Sequence, residues 1–117
     1  MDLERFREFC LSLGEVEEKM PFGKFAKRYD SILVFYVCGH MFAFVDIDNF
    51  TWVNVRLTAR GISEIREKYT SVESPLNQSL KYWIQLLFNG DIPDDAIYDL
   101  VHQSFETVRQ KYRKKSP

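Results

Sequence analysis

The chain has 117 residues, 45% hydrophobic and 28% charged, which is ordinary for one globular domain and too apolar for intrinsic disorder. Sixteen Lys and Arg stand against seventeen Asp and Glu, which excludes a dominant basic field but not a local basic patch. Cys10 and Cys38 fit neither a C-x-x-C pair nor a zinc spacing, so two reduced, buried thiols are expected. The opening Met1-Asp2-Leu3-Glu4-Arg5 is acidic and amphipathic, unlike an export leader. The longest apolar stretch, Ile32 to Val45, is interrupted by Gly39-His40 and falls short of the ~20 residues of a membrane span. A cytoplasmic protein without membrane contact is the expectation.

In chain order, Asp2 is placed to cap a first helix with Leu3, Phe6, Phe9, Cys10 and Leu13 on one face, and Gly14 is a natural left-handed stop. An acidic connector, Glu15 to Lys19, leads into Met20-Pro21-Phe22-Gly23. A short strand around Phe25 to Tyr29 is expected to pair ahead of the main strands. Ile32 to Val37 and Met41 to Ile47 read as a hairpin about Cys38-Gly39-His40, and Asp48-Asn49 turns the chain into Thr51 to Leu57. Thr58 caps a helix over Ala59 to Tyr69, with Ile62, Ile65 and Tyr69 inward. Thr70 to Leu80 is irregular or a short strand, broken by Pro75. Lys81 to Phe88 is a strand turned by Asn89-Gly90-Asp91, and Pro93 opens a last helix from about Asp94 to Arg113. Its buried stripe is Ile97, Leu100, Val101, Ser104, Phe105, Val108 and Tyr112. The order α-β-β-β-α-β-β-α over a single domain, residues 1–117, predicts the α+β class: a two-layer sandwich of a mostly antiparallel sheet with helices on one face.

Little in the chain has the pattern of catalysis. The glycines at 14, 23, 39, 61 and 90 are too scattered for a phosphate-binding loop, and there is no G-x-S-x-G elbow. Asp46-Ile47-Asp48-Asn49 begins like a calcium loop, but Phe50, Thr51 and Leu57 occupy positions that need oxygen ligands or glycine. His102, with Asp99 and Glu106 on the same helical face, reads as a charge ladder rather than a metal site. No cofactor or metal is expected, and the chain reads as non-enzymatic.

Its surfaces are more informative. Residues 24–30 hold three cations, Lys24, Lys27 and Arg28, beside Phe25 and Tyr29. Residues 109–117 hold five cations and no anion, among them Lys111, Arg113, Lys114 and Lys115, beside Tyr112. Such clusters suit phosphate, each contact releasing counterions. Side chains alternate across a strand, so Val53, Val55 and Leu57 share one face while Trp52, Asn54 and Arg56 share the other. In the later strand Tyr82, Ile84, Leu86 and Phe88 oppose Lys81, Trp83, Gln85 and Leu87. If the helices cover only the apolar face, the other presents both indoles, two cations and two amides. Such a face suits stacked bases, or a protein partner or second copy of the chain. The alternative is that the last helix covers the indoles.

Glu17-Glu18-Lys19-Met20-Pro21-Phe22-Gly23, the run Met41-Phe42-Ala43-Phe44, Val53-Asn54-Val55-Arg56, Trp83, Gly90-Asp91-Ile92-Pro93-Asp94 and Ser104-Phe105 stand in an order that resembles the MmcQ/YjbR family of small bacterial proteins. The resemblance implies a fold of the frataxin or secretion-chaperone kind and a DNA-binding label, with no catalytic residues to carry over. Arg56 stands where the family usually has Lys. Asn77-Gln78-Ser79-Leu80 replaces a His-Met-Asn-Lys type segment, leaving Lys81 as the nearest cation. The expected DNA contacts are therefore Lys24, Lys27, Arg28, Trp52, Asn54, Arg56, Lys81, Trp83, Lys111, Arg113, Lys114 and Lys115, with protein interaction or homodimerisation as the alternative.

Overall fold

The computed structural model describes residues 1–75 and 80–113. Asn77, Gln78, Ser79, Lys114 and Lys115 lie outside the described residues. Helix α1 runs over Leu3–Ser12, capped by Asp2, whose Oδ1 accepts from the Glu4 N–H at 3.1 Å. Gly14 ends it at φ 110°, the left-handed geometry a Cβ disfavours.

Three strands follow: β1 (Glu17–Lys19), β2 (Ile32–Val37) and β3 (His40–Asp46). The acidic connector is thus in part a strand. Its three charged residues carry no strand signal, but β1 pairs with β2 at the sheet edge, where charges are tolerated. Glu18 pairs with Phe35 and turns inward to Arg7 of α1, whose Nε donates to Glu18 Oε2 at 3.0 Å. The strand expected near Phe25 to Tyr29 is instead a 3-10 turn, Lys27–Tyr29, within the β1–β2 connection. Cys38 and Gly39, at φ 53° and 76°, make the two-residue hairpin turn, whose backbone twist matches the flanking strands. That turn leaves Cys38 exposed, contrary to the expectation of burial; Cys10 is buried, and burial pushes its thiol pKa up.

Strand β4 (Trp52–Arg56) leads through α2 (Ala59–Lys68) to β5 (Val72–Glu73) and β6 (Trp83–Leu87). Thr58 Oγ1 caps α2 by accepting from the Gly61 N–H at 3.0 Å. The antiparallel sheet has the order β1-β2-β3-β4-β6-β5, so β6 separates β4 from β5. After β6, Asp91 ties the chain back to the start of β5. Its carboxylate accepts from the Thr70 and Ser71 N–H groups at 2.8 and 2.9 Å, and its own N–H donates to Ser71 Oγ at 2.9 Å. A Cβ at Gly90 would lie 1.8 Å from that Oγ, so this close approach requires glycine. The bonds from Thr70 and Ser71 hold the Asp91 carboxyl down at about 2. Because the folded value lies below the unfolded one, its stabilising contribution is complete above the unfolded pKa and fades as pH falls through the folded pKa. Asp91→Asn is expected to lower the urea midpoint at neutral pH. The gap to wild type should narrow between about pH 4 and about pH 2; a gap independent of pH would remove the linkage.

Helix α3 spans Asp94–Tyr112 and buries Ile97, Leu100, Val101, Ser104, Phe105 and Val108. These close on Leu33, Phe35, Val45, Val53, Val55, Ile84 and Leu86, all from one face of the sheet. Helix α1 joins the same core through Phe6 and Cys10. Helix α2 has no fully buried residue and rests on the core by Ile62, Ile65 and Tyr69. This is the expected α+β layering, and α3 lies on the face opposite the indoles. No helix among the described residues is long and apolar enough to cross a membrane.

Candidate functional site

The helix-free face is built by strand parity. With Val53 and Val55 in the core, β4 projects Trp52, Asn54 and Arg56 the other way, ~7 Å apart. Phe44 of β3 pairs with Asn54 and therefore shares that face. Its ring meets Trp52 edge-on at 6.1 Å and Trp83 at 5.2 Å. Over this floor the β1–β2 connection folds Phe22, Phe25 and Tyr29. The result is a groove of about 610 Å³, floored by Ile32, Phe44, Trp52, Asn54 and Gln85 and closed at one side by Pro75 and Leu80. Among the described residues its polar lining is Asn54, Gln85 and Tyr29; the others are apolar.

The structure divides the sequence-derived site residues. Lys24, Lys27 and Arg28 are exposed on the segment that walls the groove, with the Arg28 guanidinium 4.8 Å from the Tyr29 ring. Trp52 is half-buried in the groove. Trp83, which parity also offered as a platform, is only 7% exposed: Phe44 packs on it, and it borders a smaller cavity of about 170 Å³ with Lys81, Ile62 and Arg66. Its low exposure and its contact with Phe44 make it a packing residue rather than an open platform. Asn54, at 1% exposure, is buried on the groove floor.

A second cluster forms where β4 ends. The Tyr112 ring stacks on His40 at 3.4 Å, with the Arg56 guanidinium 5.9 Å and the Lys111 ammonium 5.4 Å from it. The proximity of Arg56, then of Lys111, lowers the Tyr112 phenol pKa. Arg56 thus links the two regions: it follows Asn54 along the groove face yet leans on the end of α3. Arg113 is exposed beside this cluster. On α3, Glu106 accepts from Arg109 at 2.8 Å and faces His102 at 3.8 Å; of the ladder expected from spacing only the His102–Glu106 pair forms among the described residues, and Arg109 rather than Asp99 supplies the other contact.

The family model described as YjbR matches residues 11–107. The chain belongs to the YjbR family. Solved structures agree on the fold. The crystal structure of Deinococcus radiodurans protein DR2400, with the family-model domain DUF419, has a TM-score of 0.82 at 23% identity, covering 97% of this chain and 82% of that one. A Pseudomonas syringae protein matches as a crystal structure with a TM-score of 0.71 and 17% identity, over 93% of this chain and 100% of that one. A solution structure from the same organism gives 0.71 and 16%, over 100% of both chains. Among curated proteins there is no match.

Within this YjbR domain, sequence reasoning missed Phe44, Phe22 and the groove itself. The run Met41-Phe42-Ala43-Phe44 is apolar throughout, so it carries no alternation to say which side chain faces where. The register slips between Phe35 and Tyr36, which leaves Phe42 without a partner on β2. Phe42 and Ala43 both join the core, and Phe44 faces outward.

Proposed function

We propose that this YjbR domain is a non-enzymatic binding protein that contacts DNA, preferentially single-stranded, across the helix-free face of its sheet. The observation that carries the reading is the aromatic groove with Lys24, Lys27 and Arg28 on the segment that walls it. Unstacked bases seek aromatic faces and their phosphates seek cations, and here the two lie side by side. A duplex keeps its bases stacked edge-on and offers no ring to such a groove. The Asn54 and Gln85 amides do not titrate near neutrality and serve as neither general base nor nucleophile, which favours binding over chemistry.

Fluorescence anisotropy with labelled single-stranded and duplex oligonucleotides tests this. Tighter binding to the single strand is expected, weakening between about 50 and about 200 mM salt. Trp52→Ala should cost ~1–3 kcal/mol of binding free energy. No binding at the lower salt, or binding indifferent to both salt and Trp52, would remove the reading. A protein partner or a second copy is favoured by Phe25, 77% exposed at the mouth of the groove. Light scattering on the same samples separates the two: a concentration-dependent dimer that excludes the oligonucleotide would move the assignment to protein interaction.

A further inference from the structure

The groove floor holds an unpaired hydrogen-bond acceptor whose direction is set by its neighbours. Asn54 Nδ2 donates to Gln85 Oε1 at 3.1 Å, and Gln85 Nε2 donates to Glu73 Oε2 at 3.3 Å. Asn54 Oδ1 is buried and meets no donor among the described residues. These three residues sit side by side on β4, β6 and β5. An ionised carboxylate can only accept, so Gln85 must turn its NH₂ to Glu73 and its oxygen to Asn54. Asn54 must then turn its own NH₂ to Gln85. The amide cannot flip without setting oxygen against oxygen, and Oδ1 is left as the free acceptor. A buried acceptor without a donor is costly, and native proteins hold few of them.

We propose that the groove is a binding site for one flat, uncharged ring bearing an N–H donor, which displaces the side chains that now cover Asn54 Oδ1, rests against Trp52 and Phe44 and sets its N–H on that oxygen. A groove of about 610 Å³, largely apolar with a few fixed polar groups, has the size and lining of a small-ligand site. The ring stacks on the aromatic walls, and this buried acceptor sorts ligands, since a ring presenting an acceptor there sets oxygen or nitrogen against Oδ1. A free heterocycle and a base of a single strand supply the same chemistry. The inference therefore deepens the strand-binding reading where the ring belongs to DNA, and stands without it where the ring is free.

The test titrates ¹⁵N-labelled protein with thymidine and with its N3-methyl derivative, which keeps the ring but lacks the ring N–H. Thymidine is expected to shift the Trp52 indole and Gln85 side-chain signals and to bind at least about tenfold more tightly than the methylated probe. In Asn54→Leu, of similar volume but without the acceptor, the ratio should fall towards one. Glu73→Gln leaves the groove lining intact but supplies a partner that can also donate, so the amide chain can reverse and the ratio should shrink there too. Equal affinities in the wild type, or a ratio unchanged in both variants, would overturn the inference. Discrimination between the probes with no salt-dependent binding of an oligothymidine strand would support the ring site and end the strand reading. Strand binding without discrimination would do the reverse.

Discussion

Phe6→Ala is expected to lower the stability of the domain by about 3 to 5 kcal/mol, a large share of the ~5–15 kcal/mol that a domain of this kind possesses. The ring is fully buried. Its centroid lies 5.8 Å from Phe35 on β2, 5.7 Å from Phe50 before β4, 6.5 Å from Phe88 after β6 and 6.2 Å from Tyr98 on α3. One side chain of α1 therefore fastens that helix to three parts of the sheet layer and to α3. Truncation removes the ring's transfer free energy and leaves a cavity whose walls belong to four separate segments, which cannot all move inward together. Urea denaturation should show a lower midpoint with an unchanged slope. Leu11→Ala, on the exposed side of the same helix, should change stability by less than about 0.5 kcal/mol. A loss below about 1 kcal/mol for Phe6→Ala would show that α1 is a peripheral element.

Ser104→Ala is expected to cost roughly 1–3 kcal/mol, although it removes a single oxygen. Ser104 is fully buried in the middle of α3. Its hydroxyl accepts from the Arg56 N–H at 2.9 Å and donates to the Phe42 carbonyl. By the pairing of Ala43 with Val55, those two groups are the next to face each other across β3 and β4. They fall where the slipped β2–β3 register leaves Phe42 out of step, and the hydroxyl is inserted between them. Alanine would leave a buried donor and a buried acceptor without partners. Amide exchange gives a reading beyond stability: Arg56 should lose protection in Ser104→Ala, while Val53, in the regular ladder, should keep it relative to global unfolding. Thr107→Ala, whose hydroxyl bonds back to the Gln103 carbonyl on the outside of α3, should be close to neutral. Retained stability together with a protected Arg56 amide would mean that the strands close directly.

The same hydroxyl marks how far the residues alone could be read. Ser104 fell on the buried stripe by helical spacing, and it is buried. Its partners, 48 and 62 residues away, were not visible from that spacing. The caps at Asp2 and Thr58, the turn at Cys38-Gly39 and the end of α3 were legible because each depends on bonds within a few residues. The groove was legible only in part. Parity placed Trp52, Asn54 and Arg56 on the helix-free face, because β4 alternates cleanly between small apolar residues and larger polar or aromatic ones. It could not show that Trp83 is sealed by Phe44, nor that Lys24, Lys27 and Arg28 stand beside the groove rather than on a strand.

Local periodicity, caps and turn chemistry were enough to define the helices, the main strands, the apolar face of the sheet and the α+β class, since each is a property of neighbouring residues. The insertion of β6 between β4 and β5, the folding of the β1–β2 segment over the indole face and the amide chain from Glu73 to Asn54 were decided only in three dimensions. Those features join residues far apart in the chain, and which distant segments meet depends on the packing of the whole core rather than on any local pattern.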